Sequence, residues 1–256
     1  MENIIELKNI GYSYHSLQGE ICALNDISFG VKEGEFLAIV GPSGCGKTTL
    51  LSIIAGLLSP ESGTITVNNP DGAPGYPRIG YMLQHDHLLE WRTIYQNVIL
   101  GLEINHLLTG EYLDYVDRLL KEYQLDAFRD KRPSELSGGM KQRAALIRTL
   151  ALKPQLLLLD EPFSALDYQT RLTVSADICS LIRAAGKTMI IITHDLAEAI
   201  SLANRIIVLS KRPATIKTSL PIHLTLTDNS LLSARSAPEF QYYFNLLWKE
   251  LNNDES

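Results

Sequence analysis

The sequence predicts an α/β fold with a mainly parallel core sheet, and two observations carry this prediction. From residue 154 onward, short apolar runs alternate with helix-length segments: QLLLLD, RLTVSADICSLIRAAG, TMIIIT, DLAEAISLA and RIIVLS. Such nearly continuous apolar strands indicate a parallel sheet covered by helices on both faces. Earlier in the chain, the strand-like EFLAIVG leads through a glycine-rich turn into the helical KTTLLSIIAGLL, which adds another strand–helix unit.

The remaining segments place two further regions around this core. Residues 2–67 are dominated by β-like runs, IIELKNI, ISFGV, EFLAIVG and GTITVN. After RIGYMLQ the spacing becomes helical, and one apolar face is formed by Tyr112, Val116, Leu119, Leu120 and Tyr123. We therefore expect a small helical subdomain over 86–151, inserted between core segments 1–85 and 152–256. A last stripe predicts a helix packed on the body: Phe240, Tyr243, Phe244, Leu247, Trp248 and Leu251.

Composition excludes several classes of protein. The chain has 256 residues, of which 45% are apolar and 20% charged, the profile of a folded soluble protein. Its apolar runs fall short of the roughly 20 residues that cross a bilayer, and its start resembles no secretory signal. Three cysteines without CxxC spacing fit a reducing cytosol, and a net charge of −6 argues against a dedicated nucleic-acid binder.

The segment GPSGCGKTT has the GxxxxGK[ST] pattern of a phosphate-binding loop (P-loop) between a strand and a helix. Its glycines let backbone N–H groups surround a β-phosphate, Lys47 supplies a cation, and Thr48 offers a hydroxyl to Mg²⁺. We expect ATP to contact the whole segment: Gly41, Pro42, Ser43, Gly44, Cys45, Gly46, Lys47, Thr48 and Thr49.

Polar residues follow three other predicted strands. Asp160 and Glu161 end PQLLLLDEP, Gln84 ends RIGYMLQ, and His194 follows TMIIIT. Carboxyl ends of parallel strands share one sheet edge, so these side chains are expected near the phosphates. Asp160 and Thr48 are candidate Mg²⁺ ligands, and Gln84 can reach either Mg²⁺ or the attacking water through its carbonyl oxygen. Glu161 is the candidate base for the attacking water, and His194 is a candidate γ-phosphate contact.

A second anion site is predicted far from the first, at LSGGMKQR. Ser137, Gly138 and Gly139 precede an apolar-periodic helix, and a helix start offers unpaired N–H groups and a positive dipole end. The chain thus carries two predicted anion sites that lie far apart in the sequence.

The ordered set GPSGCGKTT, Gln84, LSGGMKQR, LLLLDEP, SALD and His194 resembles the ATP-binding-cassette ATPases over nearly the whole chain. The resemblance implies one P-loop NTPase cassette over 1–256, with an antiparallel N-terminal β region and an inserted helical subdomain. It implies MgATP hydrolysis to ADP and phosphate by a head-to-tail homodimer, in which Ser137 of one copy holds the γ-phosphate bound by the other. Asp167 of SALD matches the loop that links the two sites, and Tyr14 matches the aromatic that stacks on adenine, with Tyr12 a nearby rival.

Two short segments, HDHLLEWRTIYQNVILGLEI and VLSKRPATIKTSLPI, are similar to the ATPases of nitrate, sulfonate and taurine importers. Trp91 and Arg92 match that pattern. This implies a peripheral protein on the cytoplasmic face of the membrane, two transmembrane permease subunits as partners, and an extracytoplasmic solute-binding protein as an indirect one.

Two departures and three alternatives accompany this interpretation. Met140 stands where the family commonly has Gln, and Glu90 where the importers commonly have Pro. His85 and His87 allow a metal site, although no further ligand cluster accompanies them. A soluble cassette ATPase acting on nucleic acid or ribosomes is the main alternative function, and a P-loop phosphotransferase is a weaker one.

Overall fold

The computed structural model describes residues 3–16, 19–68, 78–164, 166–226 and 231–252, with side chains excluded at 231 and 232. The elements follow in chain order: β1 Asn3–Ser16, β2 Gly19–Lys32, β3 Phe36–Val40, α1 Lys47–Ile54, β4 Ser62–Val67, β5 Ile79–Met82, α2 Ile94–Val98, α3 Leu100–Ile104, α4 Gly110–Glu122, α5 Gly138–Leu150, β6 Leu156–Asp160, α6 Tyr168–Ala184, β7 Thr188–Ile192, α7 Leu196–Leu202, β8 Arg205–Leu209, β9 Ile216–Pro221, α8 Leu231–Ser236 and α9 Phe240–Asn252. Short 3₁₀ turns at Asp126–Phe128 and Pro133–Glu135 precede α5.

The described residues divide into two compact units. One lies within Met1–Pro77 and Arg183–Ser256, and the other within Arg78–Ile182. The second unit holds β5, β6 and most of α6 in addition to the helices α2 to α5. It is therefore larger than the predicted helical segment 86–151, whose boundaries stay a prediction.

Parallel strands form the core of the first unit. β3 lies between β7 and β8 and is parallel to both, while β9 pairs with β8 antiparallel. Every residue of β3 and β7 is buried, which explains their unbroken apolar sequences. A separate antiparallel sheet has the order β2–β1–β4, which confirms the predicted N-terminal β region.

The second unit contains one parallel pair, β5 and β6, in which Met82 lies opposite Leu159. The predicted apolar face of α4 is buried at Val116, Leu119 and Leu120, and Tyr123 just beyond the helix is also buried. The helical spacing read from the sequence is therefore confirmed for this segment.

The last predicted stripe is only partly a packing surface. Within α9, Leu247 is fully buried, and the helix contacts α7 and β8. Trp248, however, remains 58% exposed. Its ring stacks on Phe244 at a centroid distance of 6.2 Å, so this part of the stripe is an aromatic stack on the surface.

Gly63 of β4 lies where the strands of the N-terminal sheet approach each other closely, and its substitution tests this approach. Its φ is +86°, and an added Cβ would lie 2.3 Å from the backbone oxygen of Lys8. We expect Gly63→Ala to lower the free energy of unfolding by about 2–4 kcal/mol, measured by urea denaturation. Gly110→Ala is the control, because no atom lies within 4 Å of its added Cβ. Equal effects of the two substitutions would contradict this explanation.

Candidate functional site

The predicted phosphate loop connects β3 to α1 in the first unit. Gly44 and Gly46 have φ angles of +71° and +120°, a left-handed conformation that suits glycine. Gly46 is the N-cap of α1 and has no side chain to occupy the first N–H groups of the helix. Ser43, Gly44 and Thr48 are exposed, so this helix start is accessible to an anion.

Lys47 is the cation of this loop, and it is 7% exposed. Its ammonium group donates to the backbone oxygens of Gly41 and Pro42, each at 2.8 Å. These two bonds place the positive charge under the loop, where a phosphate bound by the backbone N–H groups would receive it.

Tyr14 joins the N-terminal sheet to the phosphate loop. Its hydroxyl lies 2.9 Å from Oγ1 of Thr49 in α1, and its side chain is 44% exposed. Tyr12 packs edge-on against Tyr14 with ring centroids 5.1 Å apart. The structure thus places Tyr14 beside the loop with an exposed side chain and Tyr12 in edge-on contact with it.

His194 lies at the same edge of the first unit as the phosphate loop. Ile192, the last residue of β7, pairs with Ile39 of β3, and Thr193 N donates to the Ile39 oxygen at 3.4 Å. His194 is exposed just beyond this point. Asp195 then accepts from the N–H groups of Ala197 and Glu198 and caps α7.

The second unit brings Gln84 and Glu161 together. Both follow the parallel pair β5 and β6, and Gln84 Nε2 donates to Glu161 Oε2 at 3.2 Å. Asp160 is 6% exposed at the end of β6, whereas Glu161 has a φ of 45°, which turns the chain sharply away from the strand. This left-handed conformation is sterically unfavourable for a non-glycine residue, so the contacts around Glu161 hold it in place.

The predicted second anion site is the start of α5. Ser137 is its N-cap, with Oγ accepting from Met140 N at 3.4 Å, and Ser137 and Gly138 are exposed. An added Cβ at Gly139 would lie 3.0 Å from Cγ2 of Thr170, so the close approach of α6 favours glycine here. A depression of about 370 Å³ opens beside this helix start, lined by Ser137, Gly139, Met140, Arg143, Gln169, Thr170, Thr173 and Val174.

Asp167 lies at the start of α6 in the same unit. Its Oδ1 accepts from Thr170 N at 3.1 Å. Hydrogen bonds from Thr170 hold the pKa of the Asp167 carboxyl below its usual value. Asp167 therefore caps α6 as an anion.

A protein-family model described as "ABC transporter" matches residues 24–164, more than half of the chain. The chain belongs to the ABC transporter family. It is an ATP-binding-cassette ATPase, and the family predicted from the motifs is confirmed.

Two relatives match this chain over most of their length. An ABC transporter ATP-binding protein of Bacillus subtilis, YtlC, is 44% identical over 99% of this chain and 97% of its own. A taurine import ATP-binding protein of Jannaschia, TauB, is 40% identical over 87% of this chain and 84% of its own. The second relative confirms the resemblance to the importer subgroup.

A solved structure confirms the fold. The dimeric post-hydrolysis state of the cassette MJ0796 bound to ADP and phosphate matches with a TM-score of 0.72 at 31% identity. The match covers 86% of this chain and 99% of the other. The chain thus has the P-loop cassette fold, with parallel core strands and an antiparallel N-terminal sheet.

Arg148 is a residue of this ABC ATPase whose role the motif analysis missed. From α5 it donates to the backbone oxygens of Asp86 at 2.6 Å and of His87 at 2.8 Å. It therefore holds the segment that follows Gln84. A cation far along the chain that binds only carbonyl oxygens leaves no periodic signal in the sequence.

The segment after Gln84 contains His85 and His87, which the sequence analysis considered as a metal site. The rings of His85 and His87 meet edge-on with centroids 5.9 Å apart. Among the described residues, three metal-ligating groups come together only at His15, Glu20 and Glu61, all exposed.

Of the two residues that match the importer pattern, Trp91 is 71% exposed, while Arg92 forms an ion pair with Glu103 at 2.5 Å. In the part of the chain that the structure covers, no helix has the length and apolarity to span a membrane.

Substitutions at Tyr14 test its predicted adenine contact. We expect Tyr14→Ala to weaken MgATP binding about two- to tenfold, because a lost ring contact costs about 0.5–1.5 kcal/mol. Tyr14→Phe keeps the ring and should stay near the wild-type Kd, measured by calorimetric titration. Tyr12→Leu keeps apolar bulk behind Tyr14 and serves as the control. A larger loss in Tyr12→Leu than in Tyr14→Ala would assign the adenine contact to Tyr12.

Proposed function

We propose that this ABC ATPase powers an importer for a small solute of the nitrate, sulfonate or taurine type. The observation that carries the proposal is its 40% identity to a taurine import ATP-binding protein over most of both chains. The Trp91 segment, which is similar to the same importers, supports it, because its tryptophan is exposed as a docking residue must be.

The phosphate loop is the proposed binding site for the phosphates of ATP. Backbone N–H groups of the phosphate loop surround the β-phosphate, and Lys47 neutralises charge on the β- and γ-phosphates. The accessible ring of Tyr14 stacks on adenine. His194, at the same sheet edge as the loop, donates to the γ-phosphate.

Mg²⁺ is the proposed cofactor, and the donors present suit it. Thr48, Gln84 and Asp160 offer hydroxyl, amide and carboxylate oxygens, the ligand types that Mg²⁺ prefers. The Gln84 amide nitrogen already donates to Glu161, which leaves its oxygen as the atom directed toward a cation or a water. When bound, the metal supplies charge neutralisation on the phosphates.

Glu161 is the proposed general base. Its carboxylate accepts from Gln84 at 3.2 Å, and the turn at φ 45° directs it away from the strand. It takes a proton from the water that attacks the γ-phosphate. Gln84 orients the carboxylate and thereby the water.

Two copies in head-to-tail arrangement are the proposed active form. The start of α5 offers exposed Ser137 and Gly138 but carries no phosphate loop of its own. It completes the γ-phosphate site of a second copy, and Asp167 belongs to the segment that links the two sites. ATP then bridges the copies, and hydrolysis removes the bridge.

The proposed location is the cytoplasmic face of the membrane, beneath two permease subunits and, through them, an extracytoplasmic solute-binding protein. Exposed apolar residues in the second unit support such docking: Leu83, Trp91, Ile104 and Leu108. A net charge of −6 gives no support to the nucleic-acid alternative.

Mixing two inactive variants tests the composite site. Lys47→Ala and Ser137→Arg should each hydrolyse almost no ATP alone, but a mixed dimer contains one intact site. An equimolar mixture with verified heterodimers should recover about a quarter of the wild-type rate if random pairing occurs and sites act independently. Ser134→Arg, an exposed neighbour, is the control and should stay active. No recovery on mixing would contradict action of Ser137 in trans.

Purification of the tagged full-length chain from its native membranes in mild detergent tests the transport role. Mass spectrometry should find a multi-span subunit, and a co-purifying binding protein should release a small solute for identification. Trp91→Glu should lose the multi-span subunit, because a charge replaces an exposed apolar contact. Trp248→Glu, at another exposed tryptophan, should keep it. Recovery of only soluble or nucleic-acid-associated partners would overturn the importer proposal.

A further inference from the structure

The loop between β8 and β9 reaches the phosphate loop through one side chain. Arg212 lies in this loop, 168 positions from Gly44 in sequence, and donates to the Gly44 backbone oxygen from Nε at 3.1 Å and from Nη2 at 2.5 Å. Both donors converge on the carbonyl at the apex of the phosphate loop. A guanidinium group is suited to such a paired contact because its donors are held in a rigid plane.

Arg212 projects from a firmly held segment. Ala214, two residues on, is fully buried; its N–H donates to Ala23 O at 2.9 Å, and its own oxygen accepts from Asn25 N at 2.9 Å. Ser210 Oγ accepts from Thr215 N at 2.9 Å and donates to the Lys211 oxygen at 2.9 Å. The backbone around Arg212 is thus hydrogen-bonded to β2 and stabilised by hydrogen bonds within its own loop.

The contact fixes one peptide of the phosphate loop. The Gly44–Cys45 peptide is planar, so the direction of its carbonyl sets the direction of its N–H. Arg212 holds the carbonyl, and Pro42 O accepts from the Cys45 N–H at 3.3 Å. Gly44 has a φ of +71° and no side chain, so the orientation of this peptide is fixed by the hydrogen bonds at its two ends, from Arg212 to its oxygen and from its N–H to Pro42 O.

The orientation matters because the two ends of a peptide act oppositely on an anion. A loop peptide that turned its carbonyl toward a phosphate would repel it, whereas N–H groups attract it. A charged donor on the Gly44 carbonyl also polarises the peptide and strengthens the bond from its N–H to Pro42 O, which helps to hold the loop in one conformation. Fixing the apex in advance lowers the ordering cost of nucleotide binding.

We propose that Arg212 is a positioning residue for nucleotide binding, which acts through the Gly44 carbonyl. The proposal rests on the proposed function, in which residues 41–49 bind the phosphates of ATP. Arg212 need not touch the nucleotide. Its removal changes the affinity for ATP and leaves the rate of the bound complex unchanged, since Glu161 and the attacking water are not affected.

The test measures MgATP binding and steady-state hydrolysis on the purified full-length chain. Arg212→Ala should raise the Kd and the KM for MgATP about tenfold, with kcat within twofold of wild type. Arg212→Lys keeps the charge but has one tip atom in place of two converging donors, so its Kd should rise only about threefold. Lys211→Ala removes the neighbouring charge of the same loop and should stay within twofold of wild type.

Two results would overturn the proposal: an Arg212→Ala Kd within twofold of wild type, or a Lys211→Ala loss as large as that of Arg212→Ala. If Arg212→Ala does not fold, Arg212→Lys decides, and an unchanged Kd for MgATP refutes the role. Lys47→Ala separates this proposal from the one on which it rests. If Lys47→Ala leaves MgATP binding unchanged, the phosphate loop is not the ATP site and the proposed function fails.

Discussion

Parallel strand pairing is the constraint on which the candidate site depends. Because β3 runs parallel to β7 in matched register, the phosphate loop after Val40 and His194 after Ile192 emerge at the same edge of the first unit. The parallel pairing of β5 with β6 does the same for Gln84 and Glu161 in the second unit. Segments that are distant in sequence thus become neighbours through backbone pairing, and the hydrogen bond from Gln84 to Glu161 then joins two of the side chains.

Backbone geometry at the strand ends then sets the direction of the loop and of the Glu161 carboxylate. Gly44 and Gly46 take left-handed conformations that turn the chain around the proposed phosphate position, and Glu161 takes one just after β6. Glycine accepts this conformation readily, but glutamate does so at a cost, which is offset by the hydrogen bond from Gln84 and by bonds from Ser164 to the Glu161 oxygen. The carboxylate is therefore held by its surroundings, as a base at a reacting centre must be.

Local patterns in the sequence predicted the core strands, the phosphate loop and the apolar face of α4, because each depends on neighbours within a few residues. Contacts between distant segments left no such pattern: Arg148 on the Asp86 carbonyl and Arg212 on the Gly44 carbonyl bind backbone atoms that any residue could offer. The exposure of Trp248 was missed for a related reason, since periodicity shows a face but not what covers it. The two long, bulged strands β1 and β2 likewise depend on mutual pairing.

The most direct test of the account is a structure of the full-length Glu161→Gln variant with MgATP, in which slow hydrolysis preserves the γ-phosphate. The account predicts two copies, with each γ-phosphate within hydrogen-bond distance of Lys47 Nζ from one copy and Ser137 Oγ from the other. A structure in which MgATP occupies the phosphate loop while Ser137 of either copy lies away from it would contradict the composite site.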